Sequence, residues 1–290
     1  MSIIEIKNLK KSYGKKPVLD IEEMKIQDGD SIGIFGANGS GKSTLIKCLT
    51  GLLPYQGSIY IDGKDISKDP SPLKDVGILV EEPALYKMLT GRENIKYFCE
   101  DTAKLDLYAK ILEVDDILDM KAKSYSLGMK QKLGILLACV KGKKLVILDE
   151  PFNCLDVISI DKAISLITQC QKDGASIILT SHQLDSSQKA VDKYYLIKDT
   201  KIYLCSDEET NNQQKVYSVE FDSFDRASSA YKFLQEKDID CELCDLSVKI
   251  RLSEGDIFTL LADLEGFSIK KFEDISNSIK EAYIAMEMKK

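Results

Sequence analysis

The residues from Gly36 to Ser43 have the types and the spacing that hold a polyphosphate. They read Gly-Ala-Asn-Gly-Ser-Gly-Lys-Ser and fit the pattern G-x-x-x-x-G-K-S/T without a gap. Glycines let backbone N–H groups approach such a dense anion because they carry no Cβ. Lys42 would reach the β- and γ-phosphates of a nucleotide, and the Ser43 hydroxyl would bind Mg²⁺. The residues predicted to contact the nucleotide phosphates are Gly36, Ala37, Asn38, Gly39, Ser40, Gly41, Lys42, Ser43 and Thr44.

The segments on either side of this loop also suit a nucleotide. Residues 32–35 form an apolar strand before it, and an amphipathic helix is predicted after it over residues 44–50. The N-terminus of that helix would turn its positive end toward the phosphates. A strand-to-helix turn without a ligand is the alternative, and the flanking pattern does not favour it.

Two adjacent acids follow an uninterrupted apolar run later in the chain. The run covers residues 145–148, and Asp149 and Glu150 come directly after it. Such a run is typical of a parallel strand covered on both faces, and open α/β sheets bind ligands at the C-terminal ends of their strands. Asp149 would hold Mg²⁺ through water, and Glu150 would orient and deprotonate the attacking water. The segment has the form of a Walker B motif and predicts nucleotide hydrolysis; the alternative is two solvated acids at a strand end.

Two further side chains are candidates for the same site. His182, the only histidine of the chain, follows the strand predicted over residues 176–180. There it would hydrogen-bond the γ-phosphate or the attacking water, as a catalytic residue beside Lys42 and Glu150. Tyr13 lies at the first turn, where its ring would either stack on adenine or cover the edge of the core. Its position alone does not decide between these two roles.

The remaining pattern predicts a sheet that helices interrupt. Apolar residues recur with helical spacing from residue 90 to about residue 142, which predicts a helical insertion over about residues 85–142. A further helix is predicted over residues 161–172, and the N-terminal strands are expected to pair antiparallel. The predicted strands cover residues 4–9, 18–26, 31–35, 57–62, 76–80, 145–148 and 176–180.

Length, charge and hydropathy limit the kinds of protein that this chain can be. The chain has 290 residues, 44% of them hydrophobic, and a net charge of −7. Its length suffices for one large domain and a smaller one, and its acidic balance argues against a nucleic-acid-binding surface, which needs clustered Lys and Arg. The N-terminus lacks the apolar core of a signal peptide, and the longest apolar runs are too short to cross a bilayer. We expect a cytosolic chain that reaches a membrane through a partner.

Most of the eight cysteines are expected to be small buried thiols. Cys241 and Cys244 have C-x-x-C spacing, but no second pair and no histidine lies nearby to complete a zinc site, and no βαβ unit precedes them. Chance spacing within a strand is therefore the favoured interpretation.

Taken together, the motifs resemble those of the ATP-binding subunit of an ABC transporter, in family order over about residues 2–205. Residues 125–131, Tyr-Ser-Leu-Gly-Met-Lys-Gln, resemble the family's L-S-G-G-Q element. Ser126 and Gly128 are retained, whereas Tyr125, Leu127 and Met129 depart from it. We refer to residues 125–131 as the signature element.

The rest of the family's motif set is also present. Residues 153–156 are similar to the D-loop, His182 to the switch histidine, and Tyr13 to the aromatic residue that stacks on adenine. The resemblance implies the α/β fold of P-loop NTPases, with an antiparallel β subdomain and a helical subdomain, and it implies ATP and Mg²⁺ as ligands. It also implies that two ATP-binding subunits pack head to tail, as a homodimer or a heterodimer. Ser126, Gly128 and Asp156 of one subunit would then complete the ATP site of the other.

Glu81 is the main departure from the family pattern. It falls where most relatives carry the Q-loop glutamine, which ligates Mg²⁺, so Ser43, Glu81 and Asp149 are the predicted metal ligands. A carboxylate there would either weaken nucleotide binding without Mg²⁺ or tighten the metal. The Glu81-Glu82-Pro83 sequence and the form of the signature element resemble the exporters of bacitracin resistance and of lantibiotic or bacteriocin immunity.

A second domain is predicted after a polar linker over residues 206–215, which would end an ATP-binding domain over residues 1–205. Residues 216–290 show the order strand, helix, strand, strand, helix, strand, which is ferredoxin-like, and a final helix over residues 275–288. They contain no catalytic cluster, so a regulatory or packing role is expected for this small α+β domain.

Three functions are compatible with these motifs. The favoured one is an ATPase that powers a separate membrane permease, which the loop over residues 81–93 would contact, at the inner face of the membrane. A soluble ABC-type ATPase acting on ribosomes or DNA is the alternative; it is disfavoured because the chain carries one such domain, no long heptad stretch and an acidic balance. A nucleotide-gated switch with little turnover is the third, and the presence of Glu150 and His182 argues against it. The transported compound, predicted to be a peptide antibiotic or a related compound, depends on the permease.

Overall fold

A computed structural model describes residues 2–181, 188–205, 215–237, 239–252, 260–261 and 264–274. The chain divides into two units, Met1–Leu204 and Cys205–Lys290. The strands of the first unit are β1 (Ser2–Tyr13), β2 (Lys16–Gln27), β3 (Ser31–Phe35), β4 (Gln56–Ile61), β5 (Lys64–Asp65), β6 (Val76–Leu79), β7 (Leu145–Asp149), β8 (Ser176–Ser181), β9 (Lys193–Lys198) and β10 (Lys201–Cys205). Its helices are α1 (Lys42–Leu49), α2 (Gly91–Phe98), α3 (Leu105–Leu112), α4 (Asp115–Leu118), α5 (Leu127–Lys141) and α6 (Val157–Lys172), with 3-10 turns at Ser71–Asp75, Ala122–Ser124 and Gln188–Ala190.

A six-stranded sheet of order β10-β9-β3-β8-β7-β6 carries the candidate site. β3 pairs parallel with β8 and β9, and β7 pairs parallel with β6 and β8. The register places Phe35 opposite Ser181 and Asp149 opposite Thr180. Because the carboxyl ends of parallel strands meet at one edge of the sheet, the loop after β3 and the acids at the end of β7 share that edge.

Both faces of this sheet are covered, since its side chains alternate between two cores. In β7, Leu145 and Ile147 pack with α1 and the N-terminal strands, whereas Val146 and Leu148 pack with α3, α5 and α6. The predicted parallel strand, buried on both faces, is confirmed. The N-terminal strands form a separate antiparallel sheet of order β2-β1-β4-β5, which confirms the predicted antiparallel subdomain.

The helical insertion consists of α2 to α5 and packs on one face of the parallel sheet. α2 begins after Thr90, whose side chain forms a capping box with Glu93. β6 runs so close to α5 that a Cβ at Gly77 would lie 1.8 Å from the carbonyl oxygen of Ala138, so only glycine fits there. The helices predicted between residues 90 and 142 are confirmed. None of the helices in the described ranges is long and apolar enough to cross a lipid bilayer.

The second unit contains an antiparallel sheet against a helix. Its described elements are β11 (Lys215–Phe221), α7 (Phe224–Glu236), β12 (Asp240–Cys244), β13 (Ser247–Leu252), a 3-10 turn at Glu265–Phe267 and β14 (Ile269–Asp274). The strand order β12-β13-β11-β14, with antiparallel pairing throughout, is that of a ferredoxin-like sheet. Of the helix predicted over residues 257–264, only residues 260, 261 and 264 are described, and they are helical. Residues 206–214 and the predicted helix over residues 275–288 lie outside the described residues.

The two cysteines of the C-x-x-C sequence lie on opposite faces of β12. Side chains alternate along a strand, so a spacing of three residues separates them. The Sγ of Cys241 lies 3.9 Å from the carbonyl oxygen of Tyr231 in α7, whereas Cys244 lines a cavity with Ser218 and Glu220. Neither a disulfide nor a shared metal site can join them in this arrangement, which supports chance spacing.

Candidate active site

The phosphate loop, residues 36–43, connects β3 to α1 in a conformation that depends on glycine. Gly39 and Gly41 have φ of 79° and 111°, in the left-handed region that other residues rarely adopt. Gly41 is the N-cap of α1 and offers no side-chain cap to the first N–H groups of that helix. The hydroxyl oxygen of Ser40 is buried without a hydrogen-bond partner among the described residues. An anion with several acceptor oxygens would satisfy these donors.

Lys42 is buried beneath the loop. Its Nζ donates to the carbonyl oxygens of Gly36 at 2.8 Å and Ala37 at 3.2 Å, and it lies 3.8 Å from Oε1 of Glu150. Burial lowers the pKa of Lys42, while the charges of Glu150 and Asp149 act in the opposite direction. The ammonium group therefore lies desolvated between the loop and the acid pair, where a phosphate oxygen would be a stronger partner than a carbonyl.

Asp149 is held by two hydroxyl groups. Ser43 donates to its Oδ1 at 3.2 Å and Thr180 donates to the same atom at 2.6 Å. A serine hydroxyl beside a carboxylate is the oxygen donor set that Mg²⁺ prefers. Within the described ranges no three His, Cys, Asp or Glu residues cluster around a possible metal. The donor set therefore fits Mg²⁺ bound by one carboxylate, a hydroxyl and the substrate's phosphate oxygens.

The backbone of Glu150 is strained. Its φ is 48°, which is uncommon for a residue with a side chain, and its N–H donates to the hydroxyl oxygen of Thr180 at 2.9 Å. Thr180 thus contacts both acids, a role not predicted from the sequence. The available signal was a hydroxyl residue at the end of an otherwise apolar strand.

The structure places Glu81 in an ion pair with Lys47. The Glu81 side chain is 69% exposed, and Lys47 lies on α1, four residues after Ser43. The hydrogen bond with Glu81 raises the pKa of Lys47. The charges of Tyr13 and Asp149 act in the same direction. The carboxylate of Glu81 is thus compensated by a cation close to the predicted Mg²⁺ site. Its role as a metal ligand stays a prediction.

Tyr13 is half-exposed at the end of β1, where the Nζ of Lys11 lies 5.3 Å from the centre of its ring. An accessible ring at this turn is compatible with stacking on adenine, which stays a prediction. His182 lies outside the described residues. The described strand β8 ends at the residue before it, on the sheet edge that carries Asp149.

The three residues predicted to act on a partner's ATP lie at the N-termini of two helices. Ser126 caps α5 and accepts the N–H of Met129 at 3.2 Å, which leaves its hydroxyl proton available. Asp156 caps α6 and accepts the N–H of Ser159 at 2.7 Å, and this contact lowers the pKa of Asp156. A Cβ at Gly128 would lie 3.0 Å from the carbonyl oxygen of Cys154, so the signature element packs closely on the D-loop.

The geometry defines a nucleotide site of the P-loop class, because a glycine-rich loop before a helix faces an acid pair at the end of a parallel strand. A family profile described as ABC transporter matches residues 19–153. The Lantibiotic transport ATP-binding protein SrtF of Streptococcus pyogenes is 38% identical over 208 residues, which are 70% of this chain and 90% of that protein. The Bacitracin transport ATP-binding protein BcrA of Bacillus licheniformis is 35% identical over 213 residues, which are 69% of this chain and 68% of that protein.

A solved structure described as the ATP binding subunit of an ABC transporter matches with a TM-score of 0.66 at 26% identity, covering 73% of this chain and 93% of that chain. The chain belongs to the ABC transporter family, as one of its ATP-binding subunits. It binds and hydrolyses ATP. The predicted fold class and the resemblance to the lantibiotic and bacitracin branch are confirmed, and the alternative of a soluble switch is not favoured.

Proposed function

We propose that this chain powers a separate membrane permease that exports a peptide antibiotic or a related compound. The observation that carries the proposal is the joint placement of Lys42, Ser43, Asp149 and Glu150 at one sheet edge, in a chain similar to two transport ATP-binding proteins. The chain would work at the inner face of the membrane, attached through the permease.

Each side chain of the site has a separate role in ATP hydrolysis. Lys42 exchanges its contacts with the loop carbonyls for the β- and γ-phosphates, and the loop N–H groups hold the remaining oxygens. Ser43 and Asp149 would hold Mg²⁺, which would supply positive charge to neutralise the phosphates. Glu150 accepts a proton from the attacking water, and Thr180 fixes the positions of both acids.

A second ATP-binding subunit would complete each site. Leu127, Val157 and Ile158 surround the two capped helix starts, and the latter two are 76% and 70% exposed. An exposed apolar patch beside polar helix caps is typical of an interface. In a head-to-tail dimer, Ser126, Gly128 and Asp156 would face the γ-phosphate held by the partner's phosphate loop, so ATP would close the dimer and hydrolysis would open it.

The permease would contact the region after Glu81. Tyr86 packs edge-on against Tyr97 with ring centres 4.7 Å apart and stacks on Phe98 at 5.7 Å. The side chains of Tyr97 and of Met88, in the same segment, are each 64% exposed. Aromatic and methionine side chains are enriched in protein interfaces, so this cluster, which we call the aromatic patch, suits a helix of the permease.

Removal of Lys47 tests whether it compensates the charge of Glu81. Lys47→Gln is expected to weaken Mg²⁺-free ATP binding about threefold, because the Glu81 carboxylate then repels the triphosphate. The double variant with Glu81→Gln should bind within about twofold of the native chain. Titration with a fluorescent ATP analogue in EDTA measures both affinities. Equal weakening in the single and double variants would show that the charge of Glu81 does not reach the phosphates.

The proposed function is tested in cells that lack the native gene. Tyr97→Glu is expected to remove the chain from the membrane fraction and to raise sensitivity to bacitracin or a lantibiotic to the level of the deletion strain, because a charge in the aromatic patch disrupts an apolar interface. The matched control is Tyr203→Glu, an exposed tyrosine on β10 at the far edge of the sheet. ATP binding by both purified variants first verifies folding. If the deletion strain were no more sensitive to bacitracin or a lantibiotic than the parent strain, antibiotic export would be contradicted.

A further inference from the structure

Gln131 is a buried polar side chain that the hydrolysis steps above do not use. It lies in the first turns of α5, five residues after Ser126, and is 8% exposed. Its Nε2 donates to the carbonyl oxygen of Pro151 at 2.9 Å and lies 3.4 Å from that of Glu150. Burying a side-chain amide costs free energy unless the amide is hydrogen-bonded. Here both acceptors are backbone carbonyl oxygens just after β7.

Those carbonyl groups belong to the turn that carries the general base. The turn begins at Glu150 with φ of 48°, and the N–H of Asn153 donates to the carbonyl oxygen of Glu150 at 3.2 Å. A strained residue keeps its conformation when several contacts determine it. Thr180 binds the N–H of Glu150 from β8, and Gln131 binds the carbonyl side from α5. The backbone of Glu150 is therefore held from both directions.

The start of α5 is also tied to the same turn by packing. A Cβ at Gly128 would lie 3.0 Å from the carbonyl oxygen of Cys154, so α5 and the D-loop touch through their backbones. The amide of Gln131 and this contact would therefore carry a displacement of the first turn of α5 to Glu150.

We propose that Gln131 is a positioning residue that couples the signature element to Glu150 of the same chain. The coupling rests on the head-to-tail dimer proposed above, in which Ser126 and Gly128 act on the ATP of the partner while Glu150 acts on the chain's own ATP. Gln131 then links the two sites. When α5 contacts the ATP of the partner, Gln131 fixes the backbone position of Glu150, which hydrolyses the chain's own ATP. Such a link is a source of positive cooperativity between the sites.

Gln131→Met tests this coupling because methionine has a similar shape and no donor. We expect kcat to fall about tenfold to a hundredfold with ATP affinity within about twofold of native, and the Hill coefficient for ATP to fall below the native value. Gln169→Met, which changes a half-buried glutamine of α6 that donates to Asp173, is the matched control and should keep both values. Thermal melting of each variant measures folding.

Four outcomes overturn the proposal. Native kcat in Gln131→Met excludes a positioning role, and a loss of ATP affinity or of melting temperature that accounts for the fall in kcat assigns Gln131 a purely structural role. The dimer is measured separately by size-exclusion chromatography with ATP, in the Glu150→Gln background with and without Gln131→Met. Absence of dimers in the Glu150→Gln parent overturns the two-subunit arrangement and the coupling together. Dimers in that parent, with an unchanged Hill coefficient in Gln131→Met, overturn the coupling alone.

Discussion

Glu150→Gln is expected to lower kcat for ATP hydrolysis about a thousandfold while ATP affinity stays within about twofold of native. The amide keeps the size of the carboxylate but cannot accept the proton of the attacking water. The contacts that hold the nucleotide belong to Lys42, Ser43 and the phosphate loop, and the backbone bond from Glu150 to Thr180 is independent of the side chain. The variant should therefore bind ATP and fail to consume it.

Accumulation of an ATP-bound dimer is the second expected result for this variant, because hydrolysis is the step that would release the subunits. Steady-state phosphate release and light scattering with and without ATP measure the two effects. Glu113→Gln is the matched control, since Glu113 is an exposed carboxylate paired with Lys162. Turnover near the native rate in Glu150→Gln would place the general base on another residue.

The parts of the site that could be predicted are those whose residues are contiguous in sequence. The phosphate loop is one unbroken motif, and the apolar run before Asp149 indicated a strand buried on both faces, which fixes the edge where the acids lie. Contacts between distant segments gave no such signal. Lys47 precedes its partner Glu81 by 34 residues, and Gln131 precedes Pro151 by 20. In the sequence, Lys47 and Gln131 resemble ordinary polar positions of a helix.

The predicted boundaries of helices and strands were wrong where a capping residue, an exposed apolar residue or a turn departs from the apolar pattern. α6 begins at Val157, whereas the prediction began at residue 161, because Asp156 caps the helix and the exposed Val157 and Ile158 break the amphipathic spacing. The hairpin of β9 and β10 was not predicted. Its turn uses Asp199 and Thr200 with φ of 48° and 71°, without the glycine that usually marks such a turn.

Lys42→Met is expected to weaken ATP binding about a hundredfold, because a desolvated ammonium group bonded to phosphate is worth about 3 kcal/mol. Methionine keeps the packing of the buried stem, and Glu150 remains partly exposed to water after it loses its cation. The melting temperature should therefore change by only about 3 °C or less. Equilibrium ATP binding and thermal melting measure the two quantities.

The comparison of this variant with Glu150→Gln separates binding from chemistry at the same sheet edge. Lys42→Met should lose affinity, and with it the ATP-dependent dimer, whereas Glu150→Gln should keep affinity and accumulate that dimer. Lys162→Met, which changes a partly exposed lysine of α6, controls for the loss of one positive charge. If Lys42→Met bound ATP as tightly as the native chain, the contacts of Lys42 with Gly36, Ala37 and Glu150 would be structural, and the phosphates would be held by the loop backbone alone.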